Sequence, residues 1–459
     1  MSIPQPLAPP AVVGTAVMNR RLGGGAGRRL FVLLGVGLVW ILPALWNNTF
    51  LYALLIWDCV LAVAFLLDWL WLPRANQIQV CRQWDKSLSI GVPSRLTVVV
   101  TNSSGTDVHF SLVDDLPLSG WYQPKSIPLT VAARQTGAAH YEYVPDKRGD
   151  QKAGNVFLRY GSVFGFAEKW AQVDLAQSVR VYPDFEHAKK YAVYLARSRQ
   201  IELQMRLMRM RGTGSSFEHL RDYREGDELR NVCWTATARR GKLVTKTYQV
   251  ERSQAVWLVL DCGRLMRART QGYSKLDRAV DAGLCVSQLA LYSGDRVGLL
   301  AYGRSLNQRV MPGRGASQLR HLVEQFAVVR EEAPEADHTR AASSLMSMQK
   351  RRGLVIWITD LADSAMTPEV IQAAGHLLSR HLLLFVLIEQ TEIKQRARAL
   401  PDSAEDMYQI VAAEEVVYRR EMLLARLRDR GALCLEVAPS QLSPAILNQY
   451  LSVKERNLV

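Results

Sequence analysis

Two aspartates directly follow apolar runs in the C-terminal half of the chain. Asp261 follows the run Ala255–Leu260. Asp360 follows the run Leu354–Thr359. Because ligands of α/β sheets bind at the carboxyl ends of the strands, we expect both carboxylates at one edge of a sheet. Carboxylate oxygens suit hard divalent cations such as Mg²⁺, so these two residues are the candidate metal ligands.

The residues after Asp261 supply few further oxygen ligands. The chain reads Asp-Cys-Gly-Arg-Leu over residues 261–265, and neither Gly263 nor Leu265 has a side-chain oxygen. Two alternatives stay open. The two carboxylates hold Mg²⁺ through waters, with Thr359 and Asp363 nearby, or the site is degenerate and Arg264 brings a positive charge to the cleft.

Sequence motifs of common enzymes are absent from the chain. No Walker A sequence, GxSxG, HExxH or GxGxxG follows a strand-like run. The eight histidines show no ligand spacing or pairing with a nucleophile. The six cysteines contain no CxxC pair, which argues against a zinc site or disulfide framework and suits a reducing compartment. We therefore expect no catalytic activity.

The segment Phe217–Glu251 concentrates charged and aromatic residues. Asp227 can cap a helix beginning at Glu228, and Gly241 can end it. The charged residues form either an internal ion-pair network that fastens this helix to a sheet or a docking surface for a partner. The candidate partner-binding residues of the segment are Arg221, Tyr223, Asp227, Arg230, Trp234, Arg239 and Lys246.

The elements that position these residues alternate between strand and helix from residue 255 onward. Strands are predicted over Ala255–Leu260, Arg296–Tyr302, Leu354–Thr359, Leu382–Ile388 and Ala432–Val437. Helices are predicted over Lys275–Tyr292, Ala316–Val329, His338–Lys350, Pro368–Arg380, Ala412–Arg430 and Leu442–Arg456. This alternation predicts a mostly parallel sheet covered by helices on both faces.

Residues 73–183 have a different sequence pattern, in which short runs of alternating apolar and polar residues are separated by turn residues. The run Arg95–Val100 is rich in β-branched residues, and Asn-Ser-Ser-Gly at 102–105 reads as a turn. Strands at this spacing predict an immunoglobulin-like β-sandwich. Residues 184–212 then predict a connecting helix, since Phe185–Arg211 contains neither Pro nor Gly.

Two apolar runs near the N-terminus predict a transmembrane helical hairpin over residues 30–72. Leu30–Trp46 has no charge over 17 residues, and Thr49–Leu67 has one internal charge, Asp58. We expect Asp58 to face the partner helix, protonated or hydrogen-bonded, the alternative being a proton or ion site. No small-residue cleavage site separates the runs, which argues against a signal peptide.

The charges that flank the hairpin predict its orientation. Arg20, Arg21, Arg28 and Arg29 precede it, Arg74 and Arg82 follow it, and the connector has no Lys or Arg. The positive-inside rule places both ends in the cytoplasm.

Residues 186–252 carry 15 Lys/Arg against 8 Asp/Glu, which favours contact with anionic membrane lipid. No zinc-finger or helix-turn-helix pattern indicates nucleic acid.

The segment Phe217–Glu251 closely resembles the signature of the bacterial family known as domain of unknown function fifty-eight. The matching positions are Phe217, Arg221, Tyr223, Gly226-Asp227, Arg230, Trp234, Ala238-Arg239, Lys246 and Tyr248. Gly294–Leu299 and Thr359-Asp360-Leu361 resemble later landmarks of that family. Pro145–Gly149 and Gly161–Gly165 resemble its upstream pattern, and the N-terminal hairpin fits as well.

This resemblance implies a multidomain protein that ends in a von Willebrand factor type A-like α/β domain. The expected layout is a basic cytoplasmic segment (1–29), the transmembrane hairpin (30–72), the β-sandwich (73–183), the connecting helix (184–212) and the signature segment with the type A-like domain (213–459). Type A domains often hold a cation through Asp-x-Ser-x-Ser, and here only Asp261 of that motif remains.

The resemblance also implies a function. Members of the family are thought to act as adaptors for a MoxR-type AAA+ ATPase in chaperone-like assembly, envelope maintenance or stress tolerance. We therefore expect a non-catalytic adaptor anchored in the bacterial inner membrane, which binds other proteins and needs no cofactor. The alternatives are a divalent-cation-dependent adhesion-type receptor and an envelope-associated hydrolase.

Overall fold

The computed structural model describes residues 7–18, 23–47, 49–117, 120–123, 126–184, 194, 197–198, 200, 216–224, 229, 232–249, 254–270, 272–361, 367–456 and 458. Two compact units divide the chain between Tyr182 and Pro183. The connecting helix predicted over 184–212 lies almost wholly outside the described residues.

The N-terminal unit is rich in β-sheet, as the short alternating runs predict. Its strands are β1 Val12–Met18, β2 Gly24–Ala26, β3 Ile78–Trp84, β4 Leu88–Ser89, β5 Ser94–Asn102, β6 Val108–Asp114, β7 Gly120–Gln123, β8 Ile127–Val131, β9 Thr136–Pro145, β10 Gly149–Ala153, β11 Val156–Gly161, β12 Ala167–Val173 and β13 Gln177–Tyr182. The long sheet has the order β7-β9-β5-β3-β1-β12-β11-β6-β8, with β2 also on β12. A second sheet has the order β10-β13-β4.

Strand β1 lies in the middle of this sheet, although residues 1–29 carried no predicted strand. It pairs antiparallel with β3, where Val13 faces Cys81, and with β12, where Met18 faces Ala171. The helical segment that follows β2 is therefore inserted between strands of one sheet.

A buried ion pair lies in the core of this unit. Arg82 is fully buried and donates to both carboxylate oxygens of Asp114, and the Tyr141 hydroxyl donates to the same carboxylate. Arg82 also donates to the carbonyl oxygens of Leu175 and Gly154, at 3.0 and 2.9 Å. Arg82 is thus a core residue of the β-unit, not a surface charge flanking the hairpin as the sequence suggested.

The N-terminal unit also contains the apolar helices. They are α1 Arg28–Gly37, a 3₁₀ turn at Leu38–Trp40, α2 Ile41–Ala44 and α3 Thr49–Trp71. Among the described helices, α3 is the one whose length and composition suit a membrane crossing. The first predicted span, Leu30–Trp46, is thus divided into short helical pieces.

Helices α1 and α3 contact each other through a tryptophan. The Trp57 indole donates to the carbonyl oxygen of Leu33 at 3.1 Å, and its ring lies against Gly37. Asp58, the next residue, is exposed on α3. The prediction that Asp58 faces the partner helix is therefore wrong, because Trp57 occupies that face.

The C-terminal unit contains a β-hairpin and an α/β sheet. Its strands are β14 Ser216–Asp222, β15 Val244–Gln249, β16 Ala255–Asp261, β17 Arg269–Thr270, β18 Tyr273–Ser274, β19 Arg296–Tyr302, β20 Leu306–Gly313, β21 Leu354–Thr359, β22 Leu382–Ile388 and β23 Leu433–Val437. Its described helices are α4 Trp234–Arg240, α5 Lys275–Tyr292, α6 Gly315–Val328, α7 His338–Met348, α8 Thr367–Leu378, α9 Thr391–Ala397, α10 Ala404–Asp429 and α11 Leu442–Glu455.

The six-stranded sheet of this unit has the order β20-β19-β16-β21-β22-β23. All its pairs are parallel except β19–β20, so the predicted mostly parallel sheet is confirmed. Strand β20 is an antiparallel edge strand that was not among the predicted strands. The carboxyl ends of β16 and β21 are adjacent, which brings Asp261 and Asp360 to one edge of the sheet.

Candidate functional site

Asp261 is buried at the carboxyl end of β16, and both of its carboxylate oxygens accept hydrogen bonds. The Thr359 hydroxyl donates to one oxygen at 2.6 Å. The backbone amide of Gly263 donates to the other at 2.7 Å. The carboxylate therefore fixes the turn after its own strand to the end of the neighbouring strand.

Asp360 is also buried, and two cations neutralise it from within the protein. Lys275 Nζ lies 2.6 Å from its Oδ2, and Arg420 Nη1 lies 2.9 Å from its Oδ1. The side-chain amide of Gln390 donates to Oδ2 at 3.1 Å. Buried charges are tolerated when they are paired and hydrogen-bonded, and this carboxylate meets both conditions.

Local helix structure places Lys275. Helix α5 begins there because Ser274 and Asp277 form a reciprocal capping box, with bonds of 3.1 and 2.9 Å. The first helical residue thus points its ammonium group at Asp360.

Arg420 belongs to the buried stripe of α10, which also contains Ala413, Leu424 and Leu427. Its guanidinium group donates to the carbonyl oxygens of Leu361 and Ile388 at 2.5 and 2.6 Å. Its Nε donates to Glu436 at 3.1 Å. One side chain thereby links the ends of β21, β22 and β23.

The residues at this edge do not fit a divalent cation. Gly263 and Leu265 add no side-chain oxygens, and the charge of Asp360 is already balanced by Lys275 and Arg420. Asp363 lies outside the described residues. Within the described ranges, no cluster of three His, Cys, Asp or Glu side chains is arranged to hold a metal.

Arg264, predicted to bring charge to the cleft, instead pairs with Glu335. Its Nη2 lies 2.9 Å from Glu335 Oε1, and both side chains are exposed. The cationic groups at the edge are Lys275 and Arg420, which the sequence analysis missed. Arg420 could have been recognised as a buried cation from the sequence, because it lies at helical spacing among the apolar residues of α10. A charged side chain at such a position needs a buried partner.

Burial raises the pKa of the Asp261 carboxyl to about 6. The hydrogen bonds from Thr359 and Gly263 lower this pKa, and the negative charge of Asp360 raises it. Asp261 therefore titrates in a range where an exposed aspartate would already be ionised.

The signature segment forms the hairpin β14–β15 with α4 between its strands. Arg221 lies on β14 and Lys246 on β15, while Trp234 and Arg239 lie on α4. The Tyr223 amide donates to the Leu243 carbonyl oxygen at 2.9 Å. Asp227 and Arg230 lie outside the described residues.

Helix α4 ends as predicted. Gly241 follows its last residue with φ +66°. The predicted start at Glu228 lies outside the described residues. Within them, Val232 bridges to Thr245, the Cys233 amide donates to the Val244 carbonyl oxygen at 2.8 Å, and α4 starts at Trp234.

Two of the candidate cations of this segment extend from its surface. Arg239 is exposed and Lys246 half-buried, and neither makes an ion pair in the part of the chain that the structure describes. Trp234 is 65% exposed and Leu229 is 67% exposed. Because Asp227 and Arg230 lie outside the described residues, the ion-pair network and the docking surface both stay predictions.

A second cluster fastens the end of α3 to the β-unit. Asp68 is buried and accepts the backbone amides of Phe166 and Ala167, both at 2.9 Å, and the Ser162 hydroxyl. Lys169 Nζ donates to the Leu72 carbonyl oxygen at 2.8 Å, which satisfies one of the free carbonyls at the helix end. We call the residues Asp68, Leu72, Ser162, Phe166 and Lys169 the helix junction.

Loss of the Arg420 guanidinium should destabilise the C-terminal unit. Arg420→Met leaves Asp360 with one fewer cation and leaves two buried carbonyl groups without a donor. We therefore expect the free energy of local unfolding at β21 and β22 to fall by about 3–5 kcal/mol. Arg419→Met is the matched control, since its pair with Glu415 is half exposed and worth about 1 kcal/mol at most. Hydrogen exchange of peptides covering β21 and β22 in the full chain measures both effects. Equal protection in the two variants would contradict the role assigned to Arg420.

The raised pKa of Asp261 should make stability pH-dependent with a defined sign. Below about pH 3.9 the carboxyl is protonated in folded and unfolded chains alike. Between about pH 3.9 and 6 the unfolded chain releases this proton while the folded chain keeps it, so the free energy of unfolding falls as pH rises. Above about pH 6 both states are ionised and the stabilisation by the protonated carboxyl is lost.

We therefore expect the unfolding free energy of the wild type to fall by about 2–3 kcal/mol relative to Asp261→Asn between pH 4 and pH 7. Denaturant unfolding of both full-length proteins at each pH measures this difference. A constant difference across the range would contradict the raised pKa.

Comparison with known proteins identifies one matching family model, described as "Protein of unknown function DUF58", over residues 219–417. The uncharacterized protein Rv1480 of Mycobacterium tuberculosis is 27% identical over 222 residues, covering 48% of this chain and 67% of its own. The uncharacterized protein YeaD of Bacillus subtilis is 24% identical over 203 residues, covering 42% of this chain and 46% of its own.

Among solved structures, the conserved hypothetical protein BatB from Bacteroides thetaiotaomicron matches 44% of this chain and 100% of its own, with 12% identity. Its TM-score of 0.28 carries no argument about fold. The resemblance based on the signature positions agrees with the family match, which includes Asp261, Asp360 and the five described candidate partner-binding residues. Residues 219–417 of the chain match the DUF58 family of proteins of unknown function.

Proposed function

We propose that this protein is a non-catalytic adaptor, anchored in the bacterial inner membrane, that binds a MoxR-type AAA+ ATPase through its C-terminal unit. The observation that carries the proposal is the internal neutralisation of Asp360 by Lys275 and Arg420. A carboxylate engaged in this way is a poor general base, nucleophile or metal ligand. The edge is thus better suited to present a fixed surface than to perform chemistry.

The proposal also assigns a fold type to each of the two units. We propose a von Willebrand factor type A-like domain for the α/β unit and an immunoglobulin-like sandwich for the β-unit. Support for the first comes from the order of the parallel strands and from Asp261 and Asp360 at their carboxyl ends. Support for the second comes from the antiparallel strands and their alternating burial.

Membrane insertion by a two-helix hairpin is supported by strand pairing. Strand β1 precedes the helices and β3 follows them, yet the two strands pair residue by residue. A sheet cannot have strands on both sides of a bilayer, so the chain between them crosses an even number of times. If α3 crosses once, the charge-free run Leu30–Trp46 supplies the return, at ~25 Å for its 17 residues.

The flanking arginines other than Arg82 then orient the hairpin, and both units lie in the cytoplasm. Confinement to the membrane would raise the local concentration of a partner there.

The signature segment offers a surface for that partner. Trp234, Leu229 and Leu243 are exposed apolar side chains, with Arg239 and Lys242 exposed beside them in sequence. Exposed tryptophans are enriched among the residues that dominate binding energy at interfaces. We propose that an apolar patch with an acidic rim on the ATPase contacts this surface.

Substitution of Trp234 should weaken recovery of the ATPase. We expect Trp234→Ala in the full-length protein to lower affinity capture of an AAA+ ATPase from native membranes by at least about tenfold, since a central interface tryptophan contributes about 2 kcal/mol or more. Captured protein is quantified by mass spectrometry with and without nucleotide.

Trp121→Ala is the matched control, because Trp121 is 58% exposed on β7 of the other unit. Equal losses in both variants would argue against the signature segment as the contact. Recovery of no AAA+ ATPase by the wild type, with or without nucleotide, would contradict the adaptor function itself.

Titration with a divalent cation distinguishes the adaptor from the adhesion-type receptor. Because Lys275 and Arg420 already balance Asp360, we expect no saturable heat from Mg²⁺ or Mn²⁺ in calorimetry of the full-length protein. A saturable isotherm that Asp261→Ala abolishes would favour the receptor. A hydrolytic activity of purified protein that Asp360→Ala abolishes would favour the hydrolase.

A further inference from the structure

The β-unit contains an open cavity of about 970 Å³ beside the first turn of α1. Its lining includes the apolar side chains of Val32, Leu33 and Phe164. It also includes the charged side chains of Arg28, Arg159 and Glu168. The cavity therefore offers both apolar and charged contacts, as an amphipathic ligand requires.

The helix junction places this cavity at the end of the apolar helix α3. The Phe164 ring lies 6.2 Å from the Trp71 ring, and Trp71 is the last residue of α3. Val163 and Phe164 are each more than half exposed. Tryptophan and other aromatic side chains at helix ends favour the headgroup layer of a bilayer. If α3 spans the membrane, the cavity opens at the depth of the lipid headgroups.

The loop beside the cavity is rigidly held. Arg29 donates to the carbonyl oxygens of Val163 and Phe164, at 2.8 and 3.0 Å. Asp68 binds the amides of Phe166 and Ala167 on the other side of the same loop. The two exposed apolar side chains are thus presented by a fixed backbone.

The charged residues that line the cavity favour an anion. Three arginines, Arg28, Arg29 and Arg159, line it against one carboxylate, Glu168, and Glu168 is paired with Arg159 at 2.5 Å. Arg28 is exposed and makes no ion pair or side-chain hydrogen bond within the described residues. Guanidinium groups bind phosphate oxygens in a bidentate manner.

We propose that this cavity binds an anionic phospholipid of the surrounding bilayer. Arg28 and Arg159 contact the phosphate and its headgroup, and the acyl chains lie along Val32, Leu33 and Phe164. The proposal rests on the membrane anchoring in the proposed function, but not on the ATPase partner.

Native mass spectrometry of the full-length protein tests this site. The protein is reconstituted into vesicles of equimolar phosphatidylcholine and phosphatidylglycerol, and the lipids retained after release are identified. We expect phosphatidylglycerol to be enriched on the wild type. Arg28→Gln should lower that enrichment about fivefold, the effect of losing one surface cation near an anionic lipid.

Two further variants make the test specific. Glu168→Gln removes the competing carboxylate and should raise the enrichment. Arg95→Gln removes an exposed arginine of the same unit that does not line the cavity, and should leave the enrichment unchanged. Equal enrichment in the wild type and Arg28→Gln, or an equal loss in Arg95→Gln, would overturn the site.

Other outcomes distinguish a lipid ligand from a soluble phosphate, and distinguish failure of the membrane anchoring from failure of the binding site. Soluble glycerol phosphate that displaces phosphatidylglycerol at matched ionic strength would overturn the lipid as ligand. Failure of the wild type to float with the vesicles would overturn the membrane anchoring and this site together. Flotation without phosphatidylglycerol enrichment would overturn the site alone.

Discussion

The contact on which the C-terminal unit depends is the one between Asp360 and the cations of Lys275 and Arg420. A buried carboxylate with no partner is costly, and a cation supplied by the protein removes that cost permanently. Arg420 also binds the carbonyl oxygens at the ends of β21 and β22. The edge of the sheet is therefore stable without any ligand from solution, which makes a constant recognition surface physically reasonable.

In the N-terminal unit, buried charged side chains likewise bind backbone groups, here at the end of a helix. Asp68 accepts backbone amides from the loop before β12, and Lys169 donates to a free carbonyl group at the end of α3. These contacts connect the last turn of the apolar helix directly to the sheet. A connection of this kind holds the end of the helix at a fixed position on the sheet.

Much of the α/β unit could be predicted from sequence because its strands are uninterrupted apolar runs. Leu354–Thr359 and Leu382–Ile388 have the observed bounds, since polar or glycine residues flank each run. Strand β1 could not be predicted, because it is held by pairing with β3 and β12, which lie far away in sequence. Lys275 and Arg420 were missed because their partner, Asp360, is remote in sequence.

The central position of β1 has a consequence for how the chain is made. This strand is synthesised before its partners β3 and β12, which follow only after the apolar helices. The sheet therefore cannot close until those helices have left the ribosome. Until then β1 lacks both neighbours, which exposes its backbone groups to pairing with other chains.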